Sequence, residues 1–163
     1  MCATIRLYIA DLEGVMIEKV CTFFGHRDCP PDLQPVLLDV LKKLIEQNGV
    51  TGFYLGQQGQ FDAAALAVLK ELKMEYPNIC YTIVLSRLNE PVSKYVAYND
   101  TIFPAELQAV PPRFAIDCRN RWMLRQADFV VTYVVYSWGG AARFADLANR
   151  QGKTVINLAF QDQ

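Results

Sequence analysis

Short apolar runs alternate with amphipathic segments along most of the chain. Residues 19–24 (KVCTFF) form a compact apolar run that stops at Gly25. Continuous apolar character over so few residues is typical of a strand that is covered on both faces. In residues 32–48, leucine, valine and isoleucine recur at every third or fourth position, which predicts a helix with one apolar stripe. Asp32 is the expected N-cap of this helix, and Gly49 its expected C-terminal stop.

The same unit of strand and helix recurs along the rest of the chain. Helices are predicted at residues 61–76, 117–126 and 140–151, and Asp117 is the expected N-cap of the second of these. Strands are predicted at residues 51–55, 79–85, 129–134 and 153–158, with a short strand near 101–103. Residues 86–113 are predicted to be irregular, and their aromatic residues cluster around Tyr95, Tyr98 and Phe103.

This alternation predicts an α/β protein with a single Rossmann-like, doubly wound, mostly parallel sheet flanked by helices. We assign residues 16–163 to this one domain, and residues 1–15 to a leader or a short extra strand. Met1 and Met16 both stay open as the native start. In doubly wound folds the ligand lies beyond the carboxyl ends of the strands. Functional residues are therefore expected in the loops at 25–31, 56–61, 86–100 and 134–140.

Composition and charge narrow the class of protein. The 163 residues are 52% hydrophobic and 20% charged, which is enough apolar material for a core without disulfides or metals. The net charge of -1 argues against broad adhesion to nucleic acid or to a membrane surface. No stretch approaches the roughly 18 consecutive apolar residues of a membrane span. Five cysteines without a CxxC pair indicate reduced thiols and a cytoplasmic location.

A metal site is not expected. Cys21, His26 and Cys29 are close together in the sequence, but no second pair of ligands follows them. Structural zinc needs about four ligands at recognisable spacing. Cys21 also falls within a predicted strand, so buried or incidental thiols are the better interpretation.

The turn after the second strand carries the strongest local signal for ligand binding. Glycines allow backbone N–H groups to approach an anion, and a helix N-terminus adds partial positive charge. The turn lacks the full GxGxxG pattern and the Gly-Lys-Ser/Thr of a Walker loop, and a tight turn that serves only chain reversal remains an alternative. The predicted phosphate-binding residues here are Gly56, Gln57, Gln58, Gly59 and Gln60.

A second candidate follows the first strand, at Gly25, His26 and Arg27. An arginine at this position is suited to grip phosphate oxygens, and His26 to bond a base, a ribose or a phosphate. The alternative is that Arg27 pairs with Asp28 at the surface while His26 serves as a structural hydrogen bonder. His26 has no evident partner base for acid–base catalysis, although histidine titrates near neutral pH.

Two further constellations precede or begin helices. The first again places glycines at the start of a predicted helix, and it consists of Ser137, Trp138, Gly139 and Gly140. Trp138 offers a ring on which a purine could stack. Its alternative role is a hydrophobic plug over the edge of the sheet. Arg119 and Asn120, followed by Arg121, place basic residues at a predicted helix start, where a nearby anion would offset their repulsion by the helix dipole. The alternative is that both arginines are solvated while Trp122 and Met123 enter the core.

Taken together, the segments FFGHRD, FYLGQQGQFD, TIFPAEL, PPRFAIDCRNRWM and DFVVTYVVYSWGGAARFA resemble a small bacterial branch of the SLOG superfamily. The resemblance runs from about residue 19 to residue 158. It implies a Rossmann-like domain with a nucleotide-derived ligand, in a superfamily that contains both binders or sensors and enzymes. Distant relatives are the LOG-type phosphoribohydrolases and the Rossmann-like domain of DprA.

The phosphoribohydrolases of this superfamily carry a PGGxGTxxE motif, whose glutamate serves hydrolysis of an N-glycosidic bond. The corresponding segment here is SWGGAARFAD, in which Trp138 replaces the proline, Ala142 the third glycine and Arg143 the threonine. The glutamate would fall on Asp146, which is one methylene shorter and further along the helix. These departures disfavour hydrolysis and leave Asp146 as a weak catalytic candidate.

The sequence therefore predicts a cytosolic protein that binds or senses a small, phosphate-bearing, nucleotide-derived molecule. No cofactor, metal or membrane partner is expected, nucleic acid is disfavoured as a partner, and a homo-oligomer is left open. One alternative is a nucleoside-monophosphate phosphoribohydrolase-like enzyme with a divergent motif. Another is a scaffold-like protein with a degenerate site.

Overall fold

The structure is a computed structural model that describes residues 19–92 and 100–160. The leader or extra strand predicted before residue 16, the two candidate start methionines, Tyr95 and Tyr98 lie outside the described residues. Within them, the helices are α1 (Leu33–Asn48), α2 (Gln60–Glu75), α3 (Ala115–Gln126) and α4 (Gly140–Arg150). The strands are β1 (Lys19–Gly25), β2 (Val50–Leu55), β3 (Cys80–Val84), β4 (Thr101–Ile102), β5 (Phe129–Tyr133) and β6 (Thr154–Asn157). Short 3-10 turns occupy Ala105–Leu107, Pro112–Phe114 and Leu158–Phe160.

The six strands form one sheet in the order β4-β3-β2-β1-β5-β6. Every neighbouring pair is parallel. From β1 the chain adds β2, β3 and β4 on one side, then crosses back to add β5 and β6 on the other. The direction of winding therefore changes between β1 and β5, which is where doubly wound folds bind their ligands. This confirms the predicted α/β, doubly wound architecture.

Successive side chains of a strand point to opposite faces of the sheet. Both faces therefore present apolar side chains, and helices cover both. Cys21 and Phe23 of β1 join one buried cluster, which includes apolar residues of α1 and α2. Phe24 of β1 joins the other cluster, together with Trp122 of α3 and Phe144 of α4. Burial of a side chain of this size stabilises the fold by roughly 1.5–3 kcal/mol. The prediction that Trp122 belongs to the core is confirmed.

The ends of two helices differ from the sequence prediction. Asp32 does occupy the N-cap position of α1, but its side chain makes no capping hydrogen bond. Gly49 ends that helix as predicted, with a φ of 70° and its N–H donating to the Leu44 carbonyl. Helix α3 begins at Ala115, so the expected N-cap Asp117 lies inside its first turn instead. There Asp117 accepts from Arg121, its ion-pair partner one turn further along the helix.

None of the helices within residues 19–92 and 100–160 is long and apolar enough to cross a membrane. The longest, α1 and α2, have 16 residues each. A helix that spans the hydrocarbon core needs about 20 residues.

Candidate functional site

A crevice of about 100 Å³ opens at the carboxyl end of β1, beside the point where the winding of the sheet reverses. We call it the switch-point crevice. It is lined by the end of β1, the start of α2, and the facing sides of α3 and α4. Its wall includes one or more residues from each of the four predicted constellations: Gly25, Gln58, Arg119, Asn120 and Gly140. Residues that the sequence suggested separately are thus brought together by the fold.

Arg119 is the most unusual residue of the crevice because it is a charged side chain only 2% exposed. Its Nη1 donates to the Val84 carbonyl at 3.0 Å, and its Nε donates to Asn120 Oδ1 at 2.8 Å. Burial lowers the pKa of Arg119, while the negative charges of Asp62 and Glu90 oppose this effect. Arginine stays protonated in proteins, so the crevice wall carries a fixed positive charge. The alternative that Arg119 is solvated is therefore wrong.

Asp62 stands at the start of α2 and faces the same crevice. Its Oδ2 accepts the Gln58 N–H at 2.8 Å. Burial raises the pKa of Asp62 above its ordinary value, against the effects of the Gln58 hydrogen bond and the Arg119 charge. No carboxylate in the described part of the chain is close enough to Arg119 to form an ion pair with it. The guanidinium is thus influenced by Asp62 without being directly neutralised by it.

The glutamines of the turn after β2 bind another part of the protein. Gln57 Nε2 and Gln58 Nε2 donate to Glu90 Oε1 at 3.1 Å and 3.3 Å. Ser86 donates to Glu90 Oε2 through its N–H at 2.6 Å and its hydroxyl at 2.7 Å. Burial alone would raise the pKa of Glu90, but the hydrogen bonds from Ser86 and Gln57, together with the charge of Arg119, leave that pKa below its ordinary value. The loop after β2 is therefore tied to the loop after β3.

Close packing explains the glycines at the first two candidate loops. A Cβ at Gly25 would lie 2.3 Å from the Phe61 ring, and one at Gly56 would lie 2.6 Å from Arg119 Nη1. Gly59 has a φ of 114°, and a Cβ there would lie 2.9 Å from Arg27 Cα. Real side chains essentially never come so close, so Gly25 and Gly59 exclude a larger residue without any ligand, and a larger residue at Gly56 would require the Arg119 guanidinium to move.

The glycines before α4 are different because open space surrounds them. A Cβ at Gly139 or Gly140 would meet nothing within 4 Å. Gly139 needs its freedom for a φ of 93°, whereas Gly140 has no such conformational requirement. The first turn of α4 contains no acidic residue. This helix N-terminus therefore has room and positive partial charge for an anion.

His26 fastens the loop after β5 to the end of β1. Its Nε2 accepts the N–H groups of Val135 at 3.0 Å and Tyr136 at 3.2 Å. The backbone N–H of His26 donates to the Tyr133 carbonyl at 3.0 Å. These contacts are the ones expected if His26 serves as a structural hydrogen bonder.

Trp138 is 69% exposed and stacks on Tyr136, with ring centroids 5.2 Å apart and an angle of 20° between the planes. It lines a separate space of about 760 Å³ on the outer side of α4, which we call the α4 cleft. Ser137 and Gly139 line this cleft too, and Gly140 alone belongs to both the α4 cleft and the crevice. The Ser137–Gly140 loop thus faces the switch-point crevice only at its last residue.

Asp146 lies in the α4 cleft, outside the crevice. Its carboxylate pairs with Arg150 at 2.7 Å, and its side chain is 60% exposed. Arg143, which stands where the hydrolase motif has threonine, forms an ion pair with Asp117 that links α4 to α3. Neither side chain is positioned beside Arg119.

Arg27 and Gln60 contribute backbone and side-chain contacts to the rim. The Gln60 N–H donates to the Arg27 carbonyl at 2.8 Å, and Gln60 Oε1 accepts the Cys29 N–H at 3.1 Å. The Arg27 residue is exposed and does not line the crevice.

Two charged residues beside the site were missed by the sequence analysis. An acidic residue in the first turn of a predicted helix, such as Asp62, is explained by the helix dipole alone, so it gave no separate signal. Glu90 lies in a segment predicted to be irregular, 33 residues from Gln57, and no local pattern connects the two.

Among solved structures, the fold of this chain has a parallel. The fold is similar to that of DprA. The X-ray structure of DNA processing protein A (DprA) from Streptococcus pneumoniae aligns with a TM-score of 0.58 and 15% sequence identity. The alignment covers 85% of this chain and 49% of DprA, so the chain spans about half the length of that protein. No protein-family model and no curated protein matches the sequence.

Proposed function

We propose that this protein binds a small, phosphate-bearing, nucleotide-derived ligand, with the phosphate in the switch-point crevice. The observation that carries the proposal is the guanidinium of Arg119, which lines the crevice while 2% exposed and without an ion-pair partner among the described residues. A buried charge is costly unless it is paired, and a phosphate would supply a negative charge in direct contact with the guanidinium, which Asp62 and Glu90 do not. Charge-assisted hydrogen bonds from arginine to phosphate are also stronger than neutral ones.

The start of α4 is the second contributor to this phosphate site. Gly140 and Ala141 line the crevice, and the first N–H groups of a helix have no partner within it. The N-terminus of α2 is less suited because Asp62 already places a carboxylate there, bound to the Gln58 N–H. A phosphate on Arg119, Asn120 and the α4 N-terminus therefore meets less repulsion than one on the turn at 56–60.

Two likenesses support a nucleotide as the ligand. The motifs described above resemble the SLOG superfamily, whose members bind nucleotide-derived molecules. The fold is similar to that of DprA, a protein named for DNA processing. We propose on this basis that the protein acts in the cytosol as a binder or sensor of such a molecule.

The hydrolase alternative receives less support from the geometry. Its candidate carboxylate, Asp146, is held by Arg150 on the outer side of α4 and does not line the crevice. Incubation with nucleoside monophosphates, followed by chromatography for released base, measures this activity directly. We expect no release.

The binding proposal is tested by an isosteric pair of substitutions at Gly140. Because nothing lies within 4 Å of a Cβ at this position, both Gly140→Asp and Gly140→Asn should leave the fold intact. Asp adds a negative charge beside the proposed phosphate, whereas Asn adds almost the same volume without charge. Calorimetric titration with a panel of nucleoside monophosphates should show at least about tenfold weaker binding for Gly140→Asp than for Gly140→Asn, which corresponds to about 1.4 kcal/mol.

Two results would overturn the proposed phosphate site. One is equal affinity of the two Gly140 variants for a nucleotide that the wild type binds. The other is the absence of binding by the wild type to every member of a panel that includes mononucleotides, dinucleotides and cyclic forms.

A further inference from the structure

A second, larger space adjoins the crevice on the side of α2. This α2 cleft has a volume of about 670 Å³, within the range of roughly 300–1,000 Å³ typical of small-molecule sites. One wall is the outer face of α2, and the opposite wall is made by the end of β3 and the loop after it. Gly56, Gln57, Gln58 and Gly59, which the sequence suggested as phosphate-binding residues, line this space, together with part of the loop at 86–100.

The α2 cleft and the switch-point crevice lie next to each other. Gln58 and Asp62 line both of them, so the start of α2 forms a shared edge. Gln58 is held in place by Glu90, and Asp62 by the Gln58 N–H. A ligand anchored by its phosphate next to Arg119 can therefore extend past this edge into the α2 cleft.

The chemistry of the α2 cleft suits a flat, largely apolar group. Its lining includes the apolar side chains of Ala63, Leu66, Ala67, Ile83 and Pro91. The amides of Gln57 and Gln58 also reach this space, but Glu90 and the Pro91 carbonyl already accept their hydrogens. The charged residues Lys70 and Arg87 line the cleft as well, and its apolar side chains provide a surface on which an aromatic ring can pack.

We propose that the α2 cleft receives the nucleobase of the ligand whose phosphate occupies the switch-point crevice. This inference rests on the proposed phosphate site and adds the location of the base. The competing surface is Trp138, which lies in the α4 cleft on the other side of the crevice. Its ring is exposed and stacks on Tyr136, so it would cover a single face of a base and leave the other face in water.

The test fills the α2 cleft with a large side chain at an exposed position. Ala67 lines the cleft from the outer face of α2, so Ala67→Trp should occupy part of the space that a base needs. Met74→Trp is the matched control, because Met74 is 87% exposed on the same helix and does not line the cleft. Circular dichroism and thermal unfolding should show that both variants keep the wild-type fold.

The probes are adenosine 5′-monophosphate and ribose 5-phosphate, with guanosine, cytidine and uridine monophosphates as further bases. The wild type should bind at least one of the nucleotides more tightly than ribose 5-phosphate. In calorimetric titrations, Ala67→Trp should weaken binding of that nucleotide at least about tenfold and leave binding of ribose 5-phosphate unchanged. Met74→Trp should leave both affinities unchanged.

Several outcomes would overturn the inference while leaving the phosphate site standing. The first is that Ala67→Trp binds the nucleotide as tightly as the wild type does. The second is that the wild type binds ribose 5-phosphate as tightly as every nucleotide. The third is that Trp138→Ala loses nucleotide binding but keeps ribose 5-phosphate binding. The last result would locate the base on the α4 side. If the wild type binds none of these probes, the base site is wrong, and the proposed function is wrong as well if dinucleotides and cyclic nucleotides also fail to bind.

Discussion

Substitution of Gly25 by alanine should destabilise the fold even when no ligand is present. The new Cβ would lie 2.3 Å from two ring atoms of Phe61 and 2.6 Å from its Cβ. Phe61 is only 1% exposed, and its ring contacts those of Phe23 and Tyr133 at centroid distances of 6.4 Å. The ring has little room to withdraw, so either the end of β1 or the start of α2 must shift.

The expected loss of stability follows from the severity of this overlap. Overpacking a well-packed core by one or more methylenes typically costs about 1–3 kcal/mol. A contact more than an ångström too short, against a ring fixed by two neighbours, places Gly25→Ala near the upper end, at about 3 kcal/mol. For a protein of this size, that corresponds to a fall in Tm of roughly 6–12 °C.

Urea unfolding, followed by circular dichroism, measures this loss directly. Gly140→Ala is the control, because a Cβ there meets nothing within 4 Å, and its stability should equal or slightly exceed that of the wild type. Gly25→Ala should also cost less in a Phe61→Leu background than in the wild type, since the smaller side chain relieves the overlap. A double-mutant cycle gives this difference as a coupling energy between the two positions.

The reasoning fails if Gly25→Ala unfolds at the wild-type urea concentration. It also fails if the two substitutions are additive, because the loss would then come from something other than the Phe61 contact. A variant with unchanged stability but abolished nucleotide binding would instead favour the original idea that Gly25 is present for a ligand.

Two further predictions concern charged and polar contacts at the rim. Because the pKa of Asp62 is raised in the folded protein, ionisation of this carboxyl lowers the stability of the fold. This loss of stability is absent below the unfolded pKa of about 3.9 and develops as the pH rises through the folded pKa. Asp62→Asn should therefore gain stability relative to the wild type as pH increases from about 4 to 7, measured by urea unfolding at each pH, and a constant difference would contradict this. His26→Ala removes the acceptor for the N–H groups of Val135 and Tyr136, at about 1 kcal/mol, and should speed hydrogen exchange at these two amides. Unchanged exchange there would show that the loop keeps its structure without the imidazole.

Most of the fold follows from patterns that are local in the sequence. The apolar run that predicts β1 is buried on both faces, and the stripe through Leu37, Leu41 and Leu44 is the buried side of α1. The boundaries of helices were less well predicted where a side chain could either cap the helix or form an ion pair within it. Aspartate is a residue type that N-cap positions favour, but Asp117 lies inside the first turn of α3 and forms ion pairs with Arg121 and Arg143.

The candidate site could be predicted only in part because its residues act through contacts distant in sequence. The rule for doubly wound sheets pointed to these loops, and Gly25, Gln58, Arg119, Asn120 and Gly140 do line one crevice. The roles of Gln57 and Gly56 depend on Glu90 and Arg119, which lie far along the chain. A glycine that is required because a side chain would clash with a buried arginine looks the same in the sequence as one that is required for a phosphate to approach the backbone.

The loops around the crevice are fastened to one another before any ligand arrives. Gln60 is bonded to the Arg27 carbonyl, His26 holds Val135 and Tyr136, and Glu90 holds the turn after β2. A rim fixed in this way has little conformational entropy left to lose on binding. Association should therefore proceed without a slow ordering step, and ligands that differ in affinity should differ mainly in how long they stay bound. In a sensor, that residence time would set the duration of the response.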